Sequence, residues 1–143
     1  MAVRRKNYHG VQINQSATIV EKAGAAIDDV RNLIMKYDAN GDVVLATAGT
    51  DKPVGIALIE AGYNDMTGVE AGKVAVGDPV DILVKDMGVV LAGADIKKGD
   101  EITAGADGMA AVAASGNYVL GIALDAAAAG EYLNVQISKY QKA

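Results

Sequence analysis

The sequence contains one pattern twice. ANGDVVLATAGTDKPVGIAL at residues 39–58 aligns with ADGMAAVAASGNYVLGIAL at residues 106–124 when one position is skipped, and both copies end in GIAL. Further along, GDPVDILV at residues 77–84 matches GEYLNVQI at residues 130–137. The spacer between the two matches is longer in the first copy. The chain is therefore constrained to folds that use a hairpin and a following strand twice.

This repeat predicts two pseudo-repeated units, at about residues 39–84 and 106–137, that close one core. A solenoid needs about three or more copies, so two copies favour paired halves of a single domain. We place that domain at residues 17–143, after an extended basic arm at residues 1–16. The alternative is a chance match in a sequence rich in Ala, Gly and Val. The ordered pairing of two separate motifs favours the repeat.

Short apolar runs bounded by turn residues predict an all-β sandwich or barrel. The 17 Val and 11 Ile outnumber the 8 Leu, which favours strands because β-branched side chains fit a pleated sheet, and the 17 Gly supply turns. The 26 Ala favour helix instead. A first strand is expected in ATIVEKAGAA, and the others in VVLAT, PVGIALIE, PVDILVK, GVVLA, EIT, AAVAA, YVLGIAL and YLNVQISKY.

Three segments are less clear. IDDVRNLIMKY at residues 27–37 alternates as a strand would, and we favour the strand. The alternative is a helix, because four apolar or aromatic residues also fit helical spacing: Ile27, Val30, Ile34 and Tyr37. Residues 61–73 are predicted to be a long loop. Residues 125–131, DAAAAGE, are either one helical turn or an Ala-rich corner.

The length and composition exclude several classes of protein. A chain of 143 residues forms one domain, or two small ones sharing a core, and buries enough surface to fold without a metal or a disulfide. With no Cys, it has no thiolate nucleophile, iron–sulfur cluster or zinc ribbon. With a single His, it cannot build a multi-histidine metal site.

Charge is distributed unevenly along the chain. Arg4, Arg5 and Lys6 give the first six residues a charge of +3, whereas the rest has 10 basic and 18 acidic residues, a net charge of −8. An acidic body disfavours binding to nucleic acid, which needs a basic face. The polar stretch after the basic cluster does not resemble a signal peptide, and no apolar run is long enough for a membrane span. We expect synthesis in the cytoplasm, without a signal peptide.

We identify no catalytic, cofactor-binding or metal-binding residues in the sequence, and predict that the protein is not an enzyme. A serine triad would need His9, which lies in the arm. The chain has neither a dinucleotide fingerprint nor a phosphate loop. The acidic turn at residues 38–42 lacks the bidentate Glu of a calcium loop, and Lys85 lacks the sequence context of a biotinyl lysine. We expect no cofactor.

Residues 77–137 resemble the head decoration, or capsid cement, proteins of tailed bacteriophages. The resemblance is carried by a strand after Gly-Asp, a turn into GVV, the phrase AGADIKKGDEIT, an Asp-Gly turn, and GIALDAAAAGEYLNVQI. It implies a small β-clip or tulip-like barrel without enzymatic activity. It also implies a homotrimer that binds the major capsid protein on the outer capsid surface, near local threefold positions. The implied location is the virion.

The arm is the candidate capsid-binding segment under this resemblance. It would leave the body and pair with the capsid surface by adding a strand to an exposed edge. The alternative is a solvated terminus without a binding role. The candidate partner-binding residues are Arg4, Arg5, Lys6, Tyr8, Val11 and Ile13.

A second functional hypothesis is a non-catalytic β-clip module that binds a carbohydrate or a small acid. Such a module needs a concave pocket with convergent polar groups. The aromatic content of 4% weakens this hypothesis, because sugar sites favour the faces of aromatic rings. A small hydrolase is nearly excluded, because the chain lacks a nucleophile–base pair.

Overall fold

A computed structural model describes residues 16–143 and places their strands in two antiparallel five-stranded sheets. The first sheet contains β1 (Thr18–Lys22), β2 (Ile34–Tyr37), β3 (Val43–Leu45), β4 (Gly55–Ala57) and β5 (Pro79–Leu83). The second contains β6 (Met87–Leu91), β7 (Glu101–Ala104), β8 (Ala110–Val112), β9 (Tyr118–Ala123) and β10 (Tyr132–Gln141). One 3₁₀ turn, Ala106–Gly108, connects β7 to β8.

The all-β prediction is confirmed. Each apolar run predicted to be a strand overlaps one, because turn residues end it and alternate side chains face the core. In β10, Leu133, Val135 and Ile137 are buried, whereas the intervening Asn134 and Gln136 are exposed.

The two sheets have the same topology. The strand order is β1-β5-β4-β2-β3 in the first and β6-β10-β9-β7-β8 in the second, so each strand has an equivalent five places later in the chain. The register is also equivalent, because Ile56 pairs with Leu83 as Ile122 pairs with Gln136. These pairs lie in the sequence segments that align with each other.

Neither sheet is closed within the described residues. In the first, a single parallel bridge joins Ala23, after β1, to Val43 on β3. In the second, the equivalent bridge joins Ala92 to Ala110. Each sheet therefore curls towards a barrel without a continuous ladder between its edge strands, which differs from the barrel expected from the resemblance.

The first unit, extended here to β1–β5, and the second, extended to β6–β10, differ in the side chains on one face. In the first sheet, Ile34, Ile56 and Leu83 lie opposite one another across β2, β4 and β5 and belong to a core shared with the second sheet. The equivalent row in the second sheet is Glu101, Ile122 and Gln136, which is more polar. The second unit therefore covers this face of the first.

A separate core lies on the opposite face of the first sheet. Its members include Met35, Ala57 and Ile82, whose side chains point away from the shared core. The shared core contains Leu120, Leu133 and other residues from the second sheet. The first sheet is thus covered on both of its faces.

The ambiguous segments are resolved. Only Ile34–Tyr37 of residues 27–37 forms a strand. The strand prediction is wrong for residues 27–33, because Asn32 has a positive φ of 59° and the Arg31 backbone N–H donates to the Asp29 carboxylate. Residues 61–73 form the predicted loop, and residues 125–131 form a corner rather than a helical turn. The division into an arm and one domain stays a prediction.

Candidate interaction surfaces

An open apolar groove of about 600 Å³ lies where the second unit meets the first. One wall comes from Ile56 to Ile59, at the end of β4, together with Leu83 of β5. The other wall comes from Met87 to Val89 of β6 and Tyr132 of β10. Asn32 also lines the groove, and its backbone carbonyl accepts a hydrogen bond from the Leu91 N–H.

Gly88 allows the two sheets to approach closely at this groove. A Cβ atom on Gly88 would lie 2.5 Å from Leu83 Cδ2 and 3.1 Å from Ile56 Cδ1, so a larger residue would displace side chains of the first sheet. The rim of the groove is defined by four exposed side chains: Ile59, Met87, Val89 and Tyr132. Contiguous exposed apolar groups of this kind mark binding surfaces.

The loop at residues 61–73 is present in the first unit only. Fifteen residues separate Leu58 from Val74, whereas two separate Leu124 from Ala127, the equivalent positions of the second unit. Ala127 bridges to Ile96 as Val74 bridges to Ile27. The second unit closes the same corner without a loop. In the first unit, the base of the loop joins the fold through the buried Ala61 and through the Gly72 carbonyl, which accepts from the Val30 N–H, whereas the residues at its far end do not.

Hydrogen bonds hold this loop in a compact form. At its base, the Tyr63 N–H donates to the Lys73 carbonyl at 2.9 Å, and the Gly72 N–H donates to the Tyr63 carbonyl at 2.8 Å. In the middle of the segment, farthest in sequence from the base, the Asp65 carboxylate accepts hydrogen bonds from the Thr67 hydroxyl and from the backbone N–H groups of Thr67 and Glu70. The Thr67 hydroxyl contributes most to holding the pKa of Asp65 below its ordinary value.

The loop presents apolar side chains to solvent. Met66 is fully exposed and Val69 is 84% exposed; we call these two residues the loop tip. Tyr63, at the base of the loop, is also more than half exposed. The bonds to Asp65 bring Met66 and Val69 to the same end of the loop. The loop tip is therefore an ordered apolar projection.

The remaining polar contacts fit structural roles. The Lys139 ammonium on β10 donates to the Val54 carbonyl and joins the two units, and its burial lowers the pKa of Lys139. Glu101 accepts from the Tyr140 hydroxyl and pairs with Lys142, which together hold the pKa of Glu101 below its ordinary value. No group of three or more His, Asp or Glu side chains within residues 16–143 is placed to hold a metal ion.

Asp51 gives a testable pH dependence. Burial raises the pKa of Asp51, but hydrogen bonds from the Lys36 ammonium and the Thr47 and Ala48 N–H groups outweigh it, so the pKa lies below the ordinary value of 3.8. This stabilisation is present above pH 3.8 and is lost as the pH falls through the lower folded-state pKa.

We expect Asp51→Asn to lower the free energy of unfolding at pH 7 by about 1–2 kcal/mol, and by less near pH 3. Urea denaturation at both pH values measures the difference. Asp28→Asn, at an exposed carboxylate, is the control and should change stability little at either pH. An equal loss for Asp51→Asn at both pH values would contradict the role of its charge.

The six residues predicted to bind a partner, Arg4, Arg5, Lys6, Tyr8, Val11 and Ile13, lie outside the described residues. His9 lies there as well. Within the part of the chain that the structure describes, no helix has the length and apolar character needed to cross a membrane.

The fold defines a class of small all-β proteins built from two equivalent sheets. Residues 5–138 match the family model of the XM1 gp53 minor capsid protein, and the chain belongs to this family. The identification of a phage capsid-associated protein from the sequence is thereby confirmed, at the level of a structural protein of the virion. A comparison with curated proteins found no match.

Among solved structures, the chain is similar to the N base of head fiber gp8.5 from bacteriophage phi29. The TM-score is 0.60 at 24% sequence identity, and the match covers 88% of this chain and 97% of that chain. At this identity the similarity shows a common fold.

Sequence reasoning missed both the groove and the loop tip as candidate interaction surfaces. A signal for the loop tip was present, because the longer spacer of the first repeat contains Tyr63, Met66 and Val69 among turn-forming residues. The groove has no comparable signal. Its walls come from distant parts of the sequence and meet only when the two units pack together.

Proposed function

We propose that this protein is a non-enzymatic homotrimer that decorates and stabilises the outer surface of a phage capsid near local threefold positions. Its partner is the major capsid protein, and its main contact is the N-terminal arm. The observation that carries this proposal is membership of a minor capsid protein family over nearly the whole chain, from residue 5 to residue 138. The match therefore includes most of the arm.

The distribution of charge supports the role of the arm. Arg4, Arg5 and Lys6 form a cationic cluster, whereas the rest of the chain has 10 basic and 18 acidic residues. A net negative body favours solubility before assembly and disfavours nucleic acid as a partner. A short basic segment suits an acidic patch on a shell protein, and Val11 and Ile13 alternate as an added strand requires.

A trimer would strengthen this contact through multivalency. Once the first arm has bound, the other two bind at a high effective concentration, so the trimer binds more tightly than three separate chains. This gain requires arms that reach three equivalent sites, which a local threefold position provides.

Ligand binding is the weaker hypothesis. The groove is lined almost entirely by aliphatic side chains, with Asn32 and Tyr132 as its polar exceptions. A carbohydrate or a small acid needs several convergent hydrogen-bonding groups.

Deleting residues 1–14 tests the proposal. We expect the shortened chain to keep its β-sheet circular dichroism and its trimeric mass, and to lose binding to expanded capsids in a co-sedimentation assay. The matched charge variant is Arg4→Ala/Arg5→Ala/Lys6→Ala. It should weaken binding most at low salt, since screening already weakens such pairs at high ionic strength.

Lys97→Ala/Lys98→Ala is the control, because it removes two exposed lysines from the body instead of the arm. We expect it to bind capsids as the wild type does. Unchanged binding after deletion of residues 1–14 would overturn the role of the arm. A similar loss for the body control and the arm variant would mean that total charge, rather than the arm, controls binding.

A further inference from the structure

We propose that the loop tip of one copy inserts into the apolar groove of a second copy, and that this contact holds the trimer together. The inference rests on the trimer of the proposed function and names its interface. Met66 and Val69 would pack between Ile56 and Leu83 on one wall and Val89 on the other.

The internal repeat supplies the first argument. The second unit has the same strand order and register as the first and closes the corresponding corner with two residues between Leu124 and Ala127. The first unit instead inserts a loop that exposes Met66 and Val69. The base of the loop contributes to the fold, because Ala61 is buried in the core of the first sheet and the Gly72 carbonyl accepts a hydrogen bond from the Val30 N–H. The exposed side chains of the loop tip make no such contribution. Two exposed apolar residues at the end of an added loop are accounted for by a binding partner.

The second argument is that the loop tip and the groove are separate on one chain. Met66 is fully exposed and therefore contacts no groove in its own copy. The groove is lined by residues up to Ile59 and from Leu83 onwards, and none of its lining residues belongs to residues 61–73. Each surface is thus free to meet the complementary surface of another copy.

The chemistry of the two surfaces matches. The tip carries aliphatic and thioether groups, and the groove walls are aliphatic, with the Tyr132 ring at the rim. Methionine is unbranched and polarisable, so it fills irregular apolar gaps and packs favourably against aromatic rings. Burying these side chains removes apolar surface of both copies from water.

The order in the loop favours binding as well. Three hydrogen bonds to Asp65 and two at the base of the loop hold the tip before any partner arrives. A preformed segment loses less conformational entropy on association than one that must be ordered. The free energy of association is therefore more favourable than it would be for a loop that had to become ordered on binding.

The geometry of the contact also limits the symmetry to closed rings. A projection on one surface that enters a groove on another makes a head-to-tail contact, and such contacts close into rings when the rotation between copies is a whole fraction of a turn. A rotation of one third of a turn gives the trimer. A rotation of half a turn would instead give a dimer in which each loop tip enters the other copy's groove once, so a dimeric mass in solution would overturn the trimer contact.

The test uses the full chain and measures mass in solution by light scattering. We expect the wild type to be a trimer. Met66→Asp, which alters the loop tip, and Val89→Asp, which alters the groove, should each weaken association by about 30-fold or more and shift the mass towards the 14.6 kDa monomer. Val112→Asp is the matched control, because Val112 is similarly exposed but lies on β8. It should remain a trimer.

Mixing the two variants distinguishes this contact from other causes of dissociation. Met66→Asp retains an intact groove, and Val89→Asp retains an intact loop tip. An equimolar mixture can therefore form one good contact but no closed ring, so we expect a heterodimer. A mixture that remains monomeric would overturn the inference, as would trimers of either variant alone.

Disulfide cross-linking gives an independent readout, and no native cysteine interferes with it because the wild-type chain has no Cys. A covalent bond also traps a contact whose affinity is slightly reduced. Met66→Cys/Val89→Cys should form covalent trimers on mild oxidation, whereas Met66→Cys/Val112→Cys should not. Cross-linking of the second pair only would overturn the inference.

Capsid co-sedimentation separates this inference from the proposed function. Monomeric Met66→Asp that still binds capsids weakly through its arm would support both. A wild type that is monomeric in solution but binds capsids would overturn the inference and leave decoration standing. A Met66→Asp trimer that loses capsid binding would assign the tip to the shell protein and overturn the inference.

Discussion

Gly55→Ala and Gly121→Ala are each expected to lower the free energy of unfolding by about 3 kcal/mol or more. A Cβ atom on Gly55 would lie 2.0 Å from the Leu83 carbonyl oxygen, and one on Gly121 would lie 2.1 Å from the Gln136 carbonyl oxygen. Both atoms that would be struck belong to the backbone of the neighbouring strand. The clash can be relieved only by separating β4 from β5 or β9 from β10, which breaks the ladder hydrogen bonds.

Gly105→Ala is the control for these two substitutions. A Cβ atom there would lie 3.1 Å from Ala111 Cβ, and the φ of −110° at Gly105 suits any residue, so a shift of a few tenths of an ångström relieves the contact. Urea denaturation followed by circular dichroism measures all three variants. A loss in Gly55→Ala no larger than in Gly105→Ala would contradict the close approach of the strands.

The same experiment tests the equivalence of the two units. Gly55 and Gly121 begin the two matching GIAL segments, and each faces the carbonyl of an equivalent residue. If the units are equivalent in energy as well as in register, the two substitutions should have similar effects. A much larger effect at one glycine would show that the surrounding packing differs between the units.

The strands were predictable because the local signals agree. In segments such as YLNVQISKY, the alternation of apolar and polar residues, the β-branched residues and the bounding Gly all favour a strand, and β10 covers this segment. The topology was only partly predictable. The repeat indicated two equivalent units, but the strand order within each depends on pairing between residues far apart in the sequence.

Residues 27–33 show why the pattern of apolar residues misled the prediction. Ile27 pairs with Val74 in an isolated bridge, Val30 is completely buried, and Leu33 is nearly so. Apolar residues in an irregular segment can cover a core as effectively as those in a strand, so periodicity does not distinguish the two cases. The tight turns at Asp29–Arg31 and Asn32 decide the backbone path here.

The candidate surfaces were less accessible to sequence reasoning than the strands. The groove depends on Gly88 meeting Leu83 and Ile56 across the boundary between the units, a contact that no local pattern encodes. The charge of the arm, in contrast, is directly readable as Arg4, Arg5 and Lys6. Sequence reasoning therefore favoured the arm as the only binding segment and overlooked the apolar surfaces of the body.

The polarity of equivalent positions explains how two similar units form one body. Ile34 and Leu83 of the first unit correspond to Glu101 and Gln136 of the second. An apolar face on the first unit requires a cover, and the second unit supplies it. The polar equivalents on the second unit do not create the same requirement for a third unit. The protein therefore contains two stacked units and no requirement for a third.

The shared core leads to a second large expected effect. Leu120→Ala should lower the free energy of unfolding by about 2–5 kcal/mol, because Leu120 is completely buried in the core that also contains Ile56 and Ile34 of the first unit. Removing its side chain leaves a cavity that affects both sheets. The whole body should therefore unfold in a single transition at a lower urea concentration.

Far-UV circular dichroism reports on both sheets, and fluorescence of the six Tyr residues, in a chain without Trp, reports on tertiary structure. The two unfolding curves should coincide in the wild type and in Leu120→Ala. Val112→Ala is the control, since Val112 is 47% exposed and its truncation should change stability by less than about 0.5 kcal/mol. Separate transitions in Leu120→Ala would mean that the first sheet keeps its fold when the second is lost. In that case its own core of Met35, Ala57 and Ile82 would be sufficient for stability, and the shared core would serve to dock the units.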